Sequence, residues 1–283
     1  MLREPADHAA RSAALTARVV DHLARTRDPE AVTVLDLGAG AGSNLRYLEP
    51  HLPAYQHWLL VDHDAELLHE ASGLTMTHGL ARGLSFMTDG TRATLHGRGR
   101  RCQVLTRVAD LAALDDADLF AGRTLVTGAA LLDLVSDAWL EQLAARCRAT
   151  RATVLFTLTY DGRIACDPHD PDDEFVRRLV NRHQHGDKGF GPAAGPDATA
   201  VARACFERAG FDVQVEPSDW VLDPGAADLQ RPLIDGWAGA AREIAPDDAA
   251  RIDAWRDRRI ADIDAGRSRL RVGHQDLAAW PRE

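Results

Sequence analysis

The sequence predicts an α/β protein with a doubly wound, mostly parallel sheet and helices on both faces. Short runs rich in Val and Leu alternate with helical patterns along the chain. The first run, residues 32–36, leads into closely spaced glycines, and the second, residues 58–61, ends in an acid. In sheets of this kind ligands bind beyond the carboxyl ends of the strands. We therefore expect the functional residues in the loops that follow the strands.

The N-terminal segment, residues 1–30, is predicted to be one helix over residues 5–27. Apolar residues recur at helical spacing from Leu15 to Leu23, and Asp28-Pro29 would end the helix.

Residues 31–160 form the predicted core, in which five strands alternate with helices. Asp64 is expected to cap the helix after the second strand, and another helix is expected near residues 136–147. Residues 73–100 are rich in Gly, Thr and Arg and are expected to be helix fragments and loop. The five strands are predicted at residues 32–36, 58–61, 103–108, 124–127 and 152–158.

Residues 161–197 break this rhythm and are predicted to be an insertion that closes over the cleft as a lid. Residues 198–283 would complete the sheet. Asp197 is expected to cap a helix that stops before Gly210, and strands are expected at residues 211–215 and 270–277. Residues 226–266 are predicted to be a second helical cover.

Composition narrows the class of protein. The chain has 283 residues, 45% of them hydrophobic, and a formal charge of −10, which disfavours a nucleic-acid partner. No apolar run approaches the roughly 20 residues that span a bilayer, and the N-terminus has no apolar signal core. The four cysteines are scattered, as in reduced cytosolic thiols. We expect a cytoplasmic monomer or homodimer with no membrane partner.

The most informative stretch follows the first predicted strand. Gly38, Gly40 and Gly42 stand at alternate positions, where they allow a tight turn and close approach of a ligand to the main chain. Asp36 precedes the first glycine by two residues, and Asp62 ends the second strand.

These residues resemble motif I and the acid of the second strand in the class I S-adenosylmethionine-dependent methyltransferases. The resemblance covers roughly residues 30–160. It implies a Rossmann-like sheet of seven strands in the order 3-2-1-4-5-7-6. It also implies that S-adenosylmethionine binds at the glycine loop and leaves as S-adenosylhomocysteine.

The same resemblance implies the role of each acid. Asp36 would lie near the methionine ammonium, Asp62 would accept hydrogen bonds from the ribose hydroxyls, and Asp110 would meet the adenine amine. The complete implied cofactor site consists of Asp36, Gly38, Ala39, Gly40, Gly42, Asn44, Asp62, His63, Ala109, Asp110, Leu111 and Gly128.

The acids beside the glycine loop suit the positively charged groups and hydroxyls of S-adenosylmethionine. A sulfonium, an ammonium and two ribose hydroxyls suit a glycine loop flanked by acids. A dinucleotide site usually spaces its glycines as G-x-G-x-x-G, whereas Ser43 occupies the place of the third glycine here. Asp36 would also repel a phosphate.

Three residues are candidates for catalysis. Asp133 follows the fourth strand and could orient a substrate amine or hydroxyl; its alternative interpretation is a helix-capping acid or one satisfied by a backbone amide. Tyr160 follows the fifth strand and would face the substrate. His183 in the insertion is a candidate general base, and a solvated loop histidine is its alternative interpretation. The acids of residues 167–174 suggest a metal, but prolines interrupt them and we predict none.

Together these observations predict methyl transfer to an O or N atom of a small polar metabolite held under the two covers. Three alternatives stay open: a non-methylating reaction at the same cofactor site, a non-catalytic binding subunit, and a NAD-dependent oxidoreductase.

Overall fold

The computed structural model describes residues 2–26, 31–90 and 92–282. The α-helices of these residues are α1 (Glu4–Ala10), α2 (Ala13–Thr26), α3 (Ser43–Leu48), α4 (Ala65–Ala81), α5 (Asp137–Thr150), α6 (Asp173–Gln184), α7 (Ala198–Arg208), α8 (Ala227–Ile244) and α9 (Ala249–Asp264). The strands are β1 (Val32–Leu37), β2 (Tyr55–Asp62), β3 (Ser85–Asp89), β4 (Arg92–Gly97), β5 (Arg100–Val108), β6 (Leu125–Ala129), β7 (Thr153–Asp167), β8 (Phe211–Pro217), β9 (Trp220–Leu222) and β10 (Arg269–Pro281).

All ten strands belong to one sheet in the order β3-β4-β5-β2-β1-β6-β7-β10-β8, with β9 paired to β10. The five strands from β5 to β7 are parallel, and β10 is antiparallel to both of its main neighbours, β7 and β8. Without the β3–β4 hairpin and β9, this is the order 3-2-1-4-5-7-6. The predicted Rossmann-like, doubly wound fold is therefore confirmed.

The central strands are apolar because both faces of the sheet are covered. Leu35 and Leu37 of β1 belong to one buried cluster, with α5 and α7, whereas Val32 and Val34 belong to another, with α2 and α4. Side chains of a strand alternate between the two faces, so a continuous run of Val and Leu serves both cores.

A third buried cluster lies under α6, α8 and α9, beside the far half of β7. Val176, Ile234 and Trp255 bring the three helices together there. The two covers predicted at residues 161–197 and 226–266 thus form one helical layer. Among the described residues, no helix is both long and apolar enough to cross a membrane.

The prediction of a single helix over residues 5–27 is wrong, because the segment forms two helices. It is broken at Arg11 and Ser12 into α1 and α2, because the backbone N–H of Ser12 donates to Asp276 Oδ2 at 2.8 Å instead of continuing the helix. The predicted stop at Asp28-Pro29 lies outside the described residues.

The prediction of helix fragments and loop over residues 73–100 is right for the helix and wrong for the loop. Helix α4 runs to Ala81, and β3 and β4 form a hairpin that extends the sheet beside β5. The hairpin is stabilised by Leu84, Ala93 and Leu95, which enter the second cluster. Gly79 of α4 packs directly against Leu95 and leaves no room for a side chain.

The remaining boundaries differ in smaller ways. Strand β7 continues across the predicted edge of the insertion, to Asp167, because β10 pairs with its whole length. The cap by Asp64 is confirmed, whereas the side chain of Asp197 makes no capping hydrogen bond to α7. Residues 226–266 form two helices with a break before Ala249.

Candidate functional site

The loop between β1 and α3 is shaped by three glycines and is joined to β2 by a backbone hydrogen bond. Gly38, Gly40 and Gly42 all have positive φ, of 63°, 48° and 77°, a conformation that favours glycine. The N–H of Ala39 donates to the carbonyl of Val61 at 3.0 Å, which joins the loop to the end of β2.

Asp36 lies beneath this loop and is fully buried. Its Oδ1 accepts from Asn44 Nδ2 at 2.8 Å, while Oδ2 has no hydrogen-bond partner among the described residues. Asn44 in turn accepts from Arg11 Nη1 at 2.6 Å. Burial raises the pKa of Asp36 to about 7, against the opposing effects of the Asn44 hydrogen bond and the Arg11 charge.

Asp62 and Asp110 occupy the carboxyl ends of two neighbouring strands, β2 and β5. Asp62 is buried and accepts from Gly40 N at 2.7 Å and from Asp64 N at 3.0 Å. Asp110 is exposed, and its Oδ1 accepts from Ala112 N at 2.8 Å. The N–H of Ala109 donates to the carbonyl of Asp62 at 2.9 Å, so the loops that carry the two acids are adjacent.

A cavity of about 700 Å³ lies over the glycine loop. Gly38, Gly40 and Asn44 line one side of it, together with Ala39. Leu233 of α8 also lines it, with Leu229 and Pro232. The volume is within the range of small-molecule and cofactor sites.

Helix α1 forms another wall of this cavity, through Arg3, Glu4, Asp7 and Arg11. The helix is fixed by ion pairs and hydrogen bonds: Glu4 with Arg46 at 2.7 Å, Asp7 with Trp220 Nε1 at 3.1 Å, and Arg11 with Asn44. Sequence reasoning missed these residues. The sequence offered one indication of them: Arg3, Asp7 and Arg11 are spaced by four residues, which places their charges on one helical face.

A second cavity, of about 280 Å³, adjoins the first. The two share Arg3, Asp7, Ala130, Leu158 and Leu233 in their walls. The smaller cavity is also lined by two of the predicted catalytic residues, Asp133 and Tyr160, and by Trp220, Trp237 and His274.

The polar groups of the smaller cavity are deeply buried. Burial raises the pKa of Asp133 to about 6 and lowers the pKa of His274 to about 4. Oδ1 of Asp133 and Nδ1 of His274 have no hydrogen-bond partner among the described residues. Tyr160 donates through its hydroxyl to Asn181 Oδ1 at 2.8 Å, and burial raises its pKa.

The structure does not bring His183 to either cavity. Its Nε2 lies 3.0 Å from Glu243 Oε2 and its Nδ1 lies 3.4 Å from Lys188 Nζ. The end of α6 is packed against α8 in the helical layer, so the histidine faces an acid of that layer rather than the cleft.

Three further predicted cofactor residues, His63, Leu111 and Gly128, are not in the lining of the large cavity. His63 is largely exposed, with Nδ1 3.2 Å from Asp62 Oδ1. Leu111 is buried, and its carbonyl accepts from Trp139 Nε1 at 2.7 Å. Gly128 packs against Phe156 and the carbonyl of Leu37.

Three acids of residues 167–174 pair with arginines of α9, whereas Glu174 pairs with Arg177 of α6. Asp170 pairs with Arg258, and Asp173 with Arg259. No group of three or more potential metal ligands occurs among the described residues. These carboxylates therefore fasten α9 to the segment before α6.

The chain matches no known family model and no curated protein. It is similar to several solved structures. One is an S-adenosylmethionine-dependent methyltransferase from Geobacter sulfurreducens in complex with S-adenosylhomocysteine (16% identity, covering 97% of this chain and 93% of that one, TM-score 0.46).

Two others are the precorrin-6y C5,15-methyltransferase from Geobacter metallireducens (11% identity, 95% and 86% covered, TM-score 0.46) and a cyclopropane synthase from Mycobacterium tuberculosis (11% identity, 94% and 84% covered, TM-score 0.45). Matches this distant, with TM-scores below 0.5, do not assign a function to the chain.

Proposed function

We propose that this chain is a class I S-adenosylmethionine-dependent methyltransferase that acts on an O or N atom of a small polar metabolite. The observation that carries the proposal is Oδ2 of Asp36, which has no hydrogen-bond partner in the described part of the chain and is buried beneath a glycine loop of positive φ that lines a cavity of about 700 Å³. A buried carboxylate without a cationic partner is costly, and a bound cation would relieve that cost.

The residues present fit the cofactor group by group. The loop of Gly38, Gly40 and Gly42 leaves the main chain open toward the methionine and ribose. Asp36 would hold the ammonium together with Asn44, and Asp62 would accept from the ribose hydroxyls with its remaining lone pairs. The exposed Asp110 would meet the adenine amine. When bound, S-adenosylmethionine supplies an electrophilic methyl group on sulfur.

The surroundings support a small substrate. Helix α1 and helix α8 wall the large cavity on the sides away from the sheet, and the smaller cavity beside it is lined by side chains of the helical layer. A macromolecular substrate needs an open face, whereas a small metabolite needs enclosure to exclude water from the methyl group. A cytoplasmic location and a monomeric or homodimeric state remain predictions.

The first test is calorimetry with S-adenosylmethionine, S-adenosylhomocysteine and NAD. We expect micromolar binding of the two sulfur ligands and weaker binding of NAD. Asp62→Asn should weaken binding about 10-fold to 100-fold, because hydrogen bonds to a charged group contribute about 1.5–3 kcal/mol. Asn keeps an oxygen that can accept from Gly40 N but loses the acceptor for Asp64 N, so the unfolding temperature of the variant is compared with that of the wild type.

Asp89→Asn, at an exposed site in the β3–β4 hairpin, is the matched control and should bind as the wild type does. Preference for NAD, or no binding of either sulfur ligand, would reject the proposed class. Binding without methyl transfer to any candidate acceptor would favour the non-methylating or non-catalytic alternatives.

A further inference from the structure

The smaller cavity combines aromatic walls with one unpaired acid. Tyr160 of β7, Trp220 of β9 and Trp237 of α8 line it, and it shares the lining residues Ala130 and Leu158 with the large cavity. It therefore lies next to the proposed cofactor site.

Asp133 is the unpaired acid. It is buried, 6% exposed, and no ion pair among the described residues includes it. Asp7, the other acid in the wall, accepts from Trp220 Nε1. Backbone N–H groups of Asp133 and Tyr160 stabilise its charge, whereas Oδ1 of Asp133 has no hydrogen-bond partner among the described residues. Because no cation contacts this buried carboxylate within the described residues, Asp133 is the polar group of the cavity that a bound cation would stabilise most.

The other charges around the cavity disfavour an anion. Arg3 is the basic side chain of the described lining, and its guanidinium lies 5.5 Å from the centre of the Trp220 ring. His274 stays neutral at pH 7, because burial holds its pKa near 4. Two acids, one arginine and three aromatic rings make a site whose free charge is negative.

We propose that this cavity binds a small protonated amine, with the ammonium on Asp133 and the carbon skeleton against Tyr160, Trp220 and Trp237. Aromatic faces attract cations, and a buried carboxylate supplies the counter-charge. A volume of about 280 Å³ limits the occupant to a small molecule. The inference rests on the proposed function in one respect: that function makes the bound amine the methyl acceptor.

The test compares benzylamine with benzyl alcohol and benzoate, which share a ring and differ in charge. Binding is measured at pH 8 by calorimetry and by quenching of tryptophan fluorescence, without S-adenosylmethionine. We expect the wild type to bind benzylamine at least tenfold more tightly than either of the other two. Asp133→Asn should lose at least tenfold in affinity for benzylamine and less than threefold for benzyl alcohol.

Asp137→Asn, an exposed acid on the first turn of α5, is the matched control and should change nothing. Trp237→Leu should weaken benzylamine and benzyl alcohol alike, which provides a second variant should Asp133→Asn fail to fold. The proposal would be overturned by equal binding of the three probes, by preference for benzoate or by no binding at all. It would also be overturned if Asp133→Asn weakened benzylamine and benzyl alcohol equally.

The two proposals fail separately. If the protein binds amines through Asp133 but does not bind S-adenosylmethionine, the methyltransferase proposal is rejected and the amine site is retained. S-adenosylmethionine binding without amine discrimination would do the reverse.

Discussion

Binding of S-adenosylmethionine should release a proton from Asp36. In the unliganded protein burial raises the pKa of this carboxyl to about 7. An ammonium bound at Oδ2 would stabilise the charged form and lower that pKa, so binding expels the proton and weakens as the pH falls. For a carboxyl with a pKa of about 7 that is fully ionised when bound, the affinity should fall about 25-fold between pH 7.5 and pH 5.5.

Asp36→Asn isolates this effect from the other acids that line the cavity, Glu4 and Asp7. Calorimetry in buffers of different ionisation enthalpy should count close to one released proton at pH 6 for the wild type. The variant should release close to none and should bind weakly at every pH. A flat wild-type profile, or a variant with the wild-type slope, would refute the role given to Asp36.

The same carboxyl has an opposite effect on folding. Its folded pKa is above the ordinary value of 3.8, so its contribution to stability is full below about pH 4 and is lost as the pH rises toward 7. At pH 8 the neutral variant should therefore unfold at a higher temperature than the unliganded wild type, by an amount that corresponds to at most about 4 kcal/mol. A variant that is more stable and yet does not bind is the signature of a binding residue.

Two further predictions concern the walls of the site and the packing beneath it. Arg11→Met should weaken S-adenosylmethionine binding about tenfold in the same calorimetric assay, because Asn44 loses its charged partner; unchanged affinity would mean that α1 does not support the site. Gly128→Ala should lower the free energy of unfolding in urea by about 1–3 kcal/mol, because a Cβ would lie 2.8 Å from Phe156 Cε1. Gly73→Ala, in helix α4 with nothing within 4 Å, is its control and should be neutral or stabilising by up to about 1 kcal/mol; similar losses in both variants would contradict the packing argument.

The sequence predicted the parts of the site that are local in the chain. A buried strand, a glycine turn and an acid at the next strand's end are recognisable from short patterns, and Asp36 and Asp62 lie where those patterns indicate. The strand order was implied by the resemblance and not by the residues alone. The β3–β4 hairpin was missed because its strands are at the sheet's edge, where Met87 is exposed and apolar alternation is weak.

What sequence reasoning could not supply are contacts between distant segments. The direction of His183 depends on how α6 packs against α8, and no local pattern encodes that packing. The role of α1 depends on a break after Arg11 that is fixed by Asp276, which lies 264 residues from Ser12. Apolar residues recur at helical spacing around Leu15, so the sequence pattern gives no sign of this break and predicts one helix.

Asp276 of β10 accepts hydrogen bonds both from the junction between α1 and α2 and from strand β7. It is fully buried; one oxygen accepts from Ser12 N and the other from Leu158 N, each at 2.8 Å. Leu158 has a φ of +58° and Ala130 a φ of +53°, and both residues line both cavities. Non-glycine residues in this conformation cost about 1–3 kcal/mol and persist only where neighbours hold them. One carboxylate therefore holds Leu158 in its strained conformation in the wall shared by the two cavities and also ends α1, so the position of α1 over the site depends on its contact with β10.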